Sequence, residues 1–263
     1  MDSKVAIIGG SGIYKLKAFK EVNEECVKTP YGEVLIFRGR WNRKEIIFLP
    51  RHGKNHKIPP HKINYRGNIF ALKSQGVKRI LATSASGSLN QQMKPGDLVI
   101  ISQFIDFTKN RPSTFFEESD VYHVDMTEPY CSELSHIFTL AAEKMGLKFH
   151  SKGTYLCTEG PRFETTAEIK AYSLLGADIV GMTNVPEVVL AREAEICYSS
   201  VAVVTNMAAG IKEGHLTSTE VSQKMQEMSR NVTKLFLTVV NEIPEKRSCC
   251  CGSALSDSKM KLL

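Results

Sequence analysis

The sequence predicts an α/β protein, a single domain in which helices surround one large, partly closed β-sheet. Three observations point there. Short β-branched runs alternate with helically spaced apolar residues from one end of the chain to the other. The candidate strands are about as many as one large sheet holds. A chain of 263 residues, 42% hydrophobic and 24% charged, can bury a substantial core without disulfides.

Strands are expected at Val5–Ile8, Val34–Arg38, Ile46–Leu49, Arg79–Thr83, Leu98–Ser102, Thr154–Cys157, Asp178–Met182 and Ser200–Thr205. Between them, Leu134, Ile137, Phe138, Ala141 and Met145 recur at helical intervals and stop at Gly146, a suitable residue just past a helix end. Thr165 and Glu168 have capping-box spacing and open a helix directly after Gly160-Pro161-Arg162-Phe163. A second box, Thr217 with Glu220, starts the last helix. Its apolar stripe of Val221, Met225, Met228, Val232, Leu235 and Val239 faces the core until Pro244 ends the pattern. One domain therefore spans residues 1–244, and 245–263 form a Ser/Cys/Lys-rich tail without periodicity, mobile unless something pins it.

Lys and Arg number 34 against 28 Asp and Glu, a formal charge of +6, without the concentrated basic blocks of a nucleic-acid binder. A small anionic substrate suits that balance. No apolar run approaches the roughly 20 residues of a membrane span, and Met1-Asp2-Ser3-Lys4 lacks the layout of a signal peptide, so a cytoplasmic protein is expected. The seven cysteines (26, 131, 157, 197, 249, 250 and 251) form no CxxC pair with metal spacing, and free thiols are the default. Disulfides joining Cys131 to Cys197, or within Cys249-Cys250-Cys251, are the open alternatives.

Several strand ends carry anion-friendly chemistry. The first runs into Gly9-Gly10-Ser11-Gly12, where small residues let backbone N–H groups and a hydroxyl approach an anion. This turn lacks the third glycine of a dinucleotide fingerprint, and no acidic ribose-binding residue closes the next strand. Another strand delivers Arg51-His52, a planar cationic fork beside a titratable donor. Thr83-Ser84-Ala85-Ser86-Gly87-Ser88 reads as a loop of hydroxyls and free amides, and Gly181-Met182-Thr183 adds a further hydroxyl. Ligand sites in α/β sheets gather at strand ends in this way.

Ile7-Ile8-Gly9-Gly10-Ser11-Gly12, Leu49-Pro50-Arg51-His52-Gly53, Pro60-His61-Lys62-Ile63-Asn64-Tyr65-Arg66, Gln103-Phe104-Ile105-Asp106, Glu159-Gly160-Pro161-Arg162-Phe163 and Gly181-Met182-Thr183-Asn184-Val185-Pro186-Glu187 occur in that order. Together they resemble the trimeric purine nucleoside phosphorylase and methylthioadenosine phosphorylase family, from about residue 4 to 243. The resemblance implies a mixed, partly barrel-like sheet and cleavage of a nucleoside's N-glycosidic bond by inorganic phosphate, giving a purine and ribose 1-phosphate or its 5-methylthio analogue. Phosphate is then a co-substrate, with no metal or organic cofactor. By motif, Ser11, Arg51, His52, Ser84, the Ala85 backbone and Thr183 would hold phosphate. Met182 would meet the ribose, Phe163 the base, and Met207 would lie beside it. Asn206 and His52 would take the catalytic roles. The family also implies a homotrimer, or a dimer of trimers, with His123 reaching a neighbouring subunit's pocket.

The base pocket departs from the adenosine-type pattern. Asn206-Met207-Ala208 stands where those members have Asp-x-Asp, and Glu164 where they have Ser. An ionised Glu164 can accept from N1–H of a 6-oxopurine, and an Asn206 N–H can donate to O6 or N7. Adenine presents the opposite edge and would leave buried polar groups unpaired, at roughly 1–3 kcal/mol each. The expected substrate is therefore inosine or guanosine, or 5′-methylthioinosine. Methylthioadenosine is the alternative, and a nucleoside-binding module without turnover a distant one. At the 5′ end, the family position near the start of the last helix is Ser218, which decides neither sugar.

Overall fold

The computed structural model describes residues 4–10, 20–42, 44–118 and 120–260. Strand β1 (Lys4–Gly9) pairs in parallel with β4 (Lys44–Pro50) on one side and β5 (Val77–Ser88) on the other. Its residues alternate between two cores. Ala6 and Ile8 face one cluster, Val5 and Ile7 the other, so both faces of the sheet are buried and the strand is apolar from Val5 to Ile8.

The first core is closed by α1 (Tyr65–Ser74) and α4 (Glu187–Glu193), through Ile69, Leu72, Val188 and Leu190. The second is closed by α2 (Ser132–Lys144) and α5 (Ser218–Glu242). The apolar stripe expected on the last helix supplies Met225, Val232, Leu235 and Val239 to that core, and Phe236 meets Phe138 of α2 edge to face at 5.1 Å. Helix α2 is capped at its C-terminus by Met145, and Gly146 takes the left-handed conformation its position requires, φ 61°.

Strand β5 is the hub. It runs parallel to β11 (Cys197–Met207), and its last residues pair with β10 (Ile179–Gly181), so the sheet branches there. One branch continues through β10 to β9 (Thr154–Thr158) and β7 (Gln103–Phe107), the other through β11 to β6 (Leu98–Ile100) and β8 (Phe149–His150). Beyond β4 lie β3 (Gly32–Trp41) and β2 (Lys20–Thr29), an antiparallel hairpin with a largely exposed outer strand. Helix α3 (Thr166–Leu174) follows the Thr165/Glu168 capping box, with both reciprocal bonds formed. At α5 the Thr217 hydroxyl accepts from the Glu220 N–H, one half of the second expected box.

One expectation is corrected, and one condition is met. The segment 83–88, read as a loop, continues β5, because β11 and β10 supply ladder partners to its small residues. The tail is also tied down. Arg247 donates to the Glu195 carbonyl (3.0 Å), Ser248 N–H to Glu133 (3.1 Å), and the Ser258 carbonyl accepts from His123 N–H (2.8 Å). None of the seven cysteines is in a disulfide.

Candidate active site

The parallel strands β1, β4, β5 and β11 present their carboxyl ends to the same side, and β10 ends beside them. There a cavity of about 160 Å³ opens between Gly10, Arg51 and His52 at one part of its wall and Phe163, Glu164 and Asn206 at another.

Arg51 follows β4, and its N–H donates to the Gly9 carbonyl at 3.0 Å, fastening two strand exits together. Its guanidinium is buried. Nε and Nη2 grip Glu187 of α4 at 2.6 and 2.7 Å, and Nη1 donates to the Thr83 carbonyl at 2.8 Å. Glu187, fully buried, also accepts from Tyr198 Oη at 2.7 Å. Burial by itself would lower the Arg51 pKa, but the charge and hydrogen bonds of Glu187 raise it above the ordinary arginine value. Of the five guanidinium N–H groups, one on Nη1 and one on Nη2 stay available to an anion.

His52 has the reverse character. Nδ1 lies 2.8 Å from the Ile58 carbonyl, which can only accept, so Nδ1 carries the proton and Nε2 keeps its lone pair. Burial, reinforced by the nearby Arg51 charge, outweighs the Ile58 bond and lowers its pKa to about 4. A neutral ring beside a fixed cation can take a hydrogen bond from monoprotonated phosphate while Arg51 supplies the charge. Ser84, Ala85 and Thr183 line the same cavity, and Thr183 N–H is held by Tyr155 Oη at 3.3 Å.

The other part of the cavity is set by Arg111, a residue the sequence reading passed over. Its buried guanidinium donates to the carbonyls of Met182 (2.9 Å), Val185 (2.6 Å) and Glu159 (2.8 Å) and to Tyr65 Oη (3.0 Å), joining the end of β9 to the loop after β10. Gly160, at φ +66°, lets Met182 lie against the backbone, since a β-carbon there would come within 2.6 Å of its sulfur.

Glu164 is buried on the cavity wall, and burial raises its pKa despite the Thr158 hydroxyl, which donates to Oε1 at 2.8 Å. Asn206 pairs with Gly87, one residue before the end of the β5–β11 ladder. Its Nδ2 donates to the Met207 carbonyl at 2.9 Å, and its Oδ1 accepts from Thr205 Oγ1 at 2.7 Å. The Met207 carbonyl accepts only, so these partners fix the amide orientation and leave one N–H unspent.

A profile of the phosphorylase superfamily matches residues 4–241. The chain belongs to that superfamily. It is 56% identical over 259 residues to a 6-oxopurine nucleoside phosphorylase of Pyrococcus furiosus, covering 96% of this chain and 97% of that one. A probable S-methyl-5′-thioinosine phosphorylase of Thermodesulfovibrio yellowstonii is 47% identical, covering 97% of each. Among solved structures, methylthioadenosine phosphorylase from Schistosoma mansoni in complex with adenine superposes with a TM-score of 0.93 at 34% identity, over 99% of this chain and all of that one.

Within this phosphorylase, Arg51, His52, Ser84, Ala85, Phe163, Glu164, Met182, Thr183, Asn206 and Ala208 come together on one cavity. Phe163 sits at its edge, 38% exposed. Met207 is not in the lining and contributes its carbonyl to Asn206. Ser218 is exposed and also outside the lining. Leu216 and Val221 on either side of it reach the cavity instead. His123 is exposed and lies elsewhere on this chain. Ser11 falls outside the described residues.

Proposed function

We infer that this phosphorylase cleaves 6-oxopurine nucleosides with inorganic phosphate, acting in the cytoplasm as a homotrimer without a metal or organic cofactor in the reaction. The orientation of Asn206 carries the reading. With Oδ1 occupied by Thr205 and one Nδ2 hydrogen by Met207, the side chain offers the cavity a donor. A 6-oxopurine accepts at O6 and N7, and its N1–H can donate to the second oxygen of Glu164. Adenine offers an amino group to Asn206 and an N1 lone pair to the carboxylate, a mismatch on both sides.

The chemistry follows from this placement. A phosphate oxygen attacks the anomeric carbon, the C–N bond electrons pass to the purine, and the sugar acquires oxocarbenium character between them. The dianion held by Arg51, with neutral His52 accepting its proton, stabilises that positive charge. The Asn206 N–H strengthens its hydrogen bond as negative charge accumulates on the leaving base. The base takes its proton from water.

At the start of α5, Leu216 and Val221 give the cavity an apolar end. It suits a 5′-methylthio group, so methylthioinosine is a substrate alongside inosine. His123, exposed on this chain, completes a neighbour's pocket in the trimer. Base release from inosine that requires phosphate is the test. Release without phosphate, or no release from any 6-oxopurine nucleoside, refutes the reading.

A further inference from the structure

The fold gathers four cysteines that are far apart in sequence. Cys131 caps α2, Cys197 begins β11, and Cys249 and Cys251 reach in from the tail while Cys250 points to solvent. Their four sulfurs lie within 4.8 Å of one another. Cys131, Cys197 and Cys251 are buried and Cys249 is half-buried. Zinc–sulfur bonds of about 2.3 Å directed to the corners of a tetrahedron put the sulfurs about 3.8 Å apart. The cluster needs only small adjustments to meet that figure, the Cys197–Cys249 contact being 3.3 Å.

Two arginines border the cluster. Arg192 Nη1 donates to Cys251 at 3.7 Å, and its Nε is buried without a partner among the described residues. Arg247 packs over Gly252, in the turn that carries Cys251. Guanidinium groups donating to sulfur favour thiolates over thiols.

We propose that Cys131, Cys197, Cys249 and Cys251 form a closed tetrathiolate site for one zinc ion, which anchors the C-terminal tail to the start of α2 and β11. Binding releases the thiol protons to solvent. One dication and four thiolates leave a net charge of −2, and Arg192 and Arg247 offset it. The site is structural. Cys197 and Asn206 lie at opposite ends of β11, about 30 Å apart at roughly 3.3 Å per residue, so the ion takes no part in phosphorolysis. A Cys-x-Cys pair joined to two distant single cysteines gives no local spacing signal, and so the sequence points to no metal.

The test uses the full chain, purified with a thiol reductant and dialysed against a weak chelator. It should keep about one zinc ion per chain by plasma mass spectrometry, and cobalt in place of zinc should give the strong visible bands of a tetrahedral thiolate centre. Cys251→Ser should hold less than about a tenth of the zinc while still cleaving nucleoside, and Cys250→Ser should hold a full complement. Should Cys251→Ser misfold, the wild-type protein decides through a second readout, in which stripping the metal with a strong chelator speeds tryptic cleavage at Arg247. Reduced wild-type protein that binds neither zinc nor cobalt overturns the proposal. So does a protein whose mass shows Cys–Cys bridges within the cluster that persist under reductant when zinc is supplied.

Discussion

Replacing Asn206 by Asp changes one group from donor to acceptor and leaves the shape almost unchanged. The Thr205 hydroxyl can still donate to one carboxylate oxygen. The other oxygen takes the place of Nδ2, 2.9 Å from the Met207 carbonyl, and sets two acceptors against each other. That clash and the lost hydrogen bond should lower stability by about 1–3 kcal/mol. The catalytic loss is separate. A donor aimed at charge that develops in the transition state contributes about 2.7–4 kcal/mol, so kcat on inosine should fall about 10²- to 10³-fold. Adenosine gains an acceptor for its amino group and is relieved of roughly 1–3 kcal/mol of mismatch. The inosine-to-adenosine ratio of kcat/KM should therefore fall by about 10³ or more. The assay follows base release from each nucleoside at saturating phosphate, with the phosphate KM as control, expected to stay within about twofold because Asn206 is at the base. A ratio that moves less than about threefold in a folded variant refutes the role given to the amide.

Three further outcomes follow from the same geometry. The folded pKa of His52, about 4, lies below its ordinary 6.5, so the unfolded chain binds the extra proton first. Its contribution is intact above pH 6.5 and is lost as pH falls toward 4, by about 3 kcal/mol at 1.36 kcal/mol per unit; His52→Gln should remove that component from urea unfolding measured in phosphate-free buffer. Glu187→Gln leaves the buried Arg51 charge without its counter-ion, which should cost about 3–5 kcal/mol in unfolding free energy and raise the phosphate KM more than the inosine KM. Burial raises the Glu164 pKa above its ordinary 4.5, so protonation stabilises the empty fold as pH falls but removes the acceptor for N1–H. As pH falls, the inosine KM should begin to climb before the ordinary carboxylate value of 4.5 is reached, and Glu164→Gln should flatten that rise.

Much of this fold is legible in the sequence because its central strands and last helix carry strong periodic signals. The strands β1, β4 and β11 carry apolar runs at Val5–Ile8, Ile46–Leu49 and Val201–Val204, buried on both faces, and α5 shows a full stripe. The outer strand β2 is missed because its exposed, Lys- and Glu-rich residues have no burial pattern to read. Helix α4 is missed because it is two turns long and buries charged residues, Glu187, Arg192 and Glu193, along with its apolar ones, so its pattern gives no amphipathic stripe. At the site, the sequence supplies the residues at strand ends but not their partners. Glu187 grips Arg51 from 136 positions away, and Arg111 gathers carbonyls from distant segments. Ser218 illustrates the opposite limit. It occupies the expected position, yet Leu216, just before α5, and Val221, one turn into it, line the cavity instead. The tail too has no regular pattern of its own, and its place depends on thiols and carbonyls supplied by the body of the protein.

The most direct measurement is a substrate panel of inosine, guanosine, methylthioinosine, adenosine and methylthioadenosine, each assayed for base release with and without inorganic phosphate. The Glu164 and Asn206 pairing predicts phosphate-dependent turnover of the 6-oxopurine nucleosides, with kcat/KM at least about tenfold above the matching 6-aminopurine nucleosides. Rapid phosphorolysis of methylthioadenosine without comparable turnover of any 6-oxopurine nucleoside contradicts it.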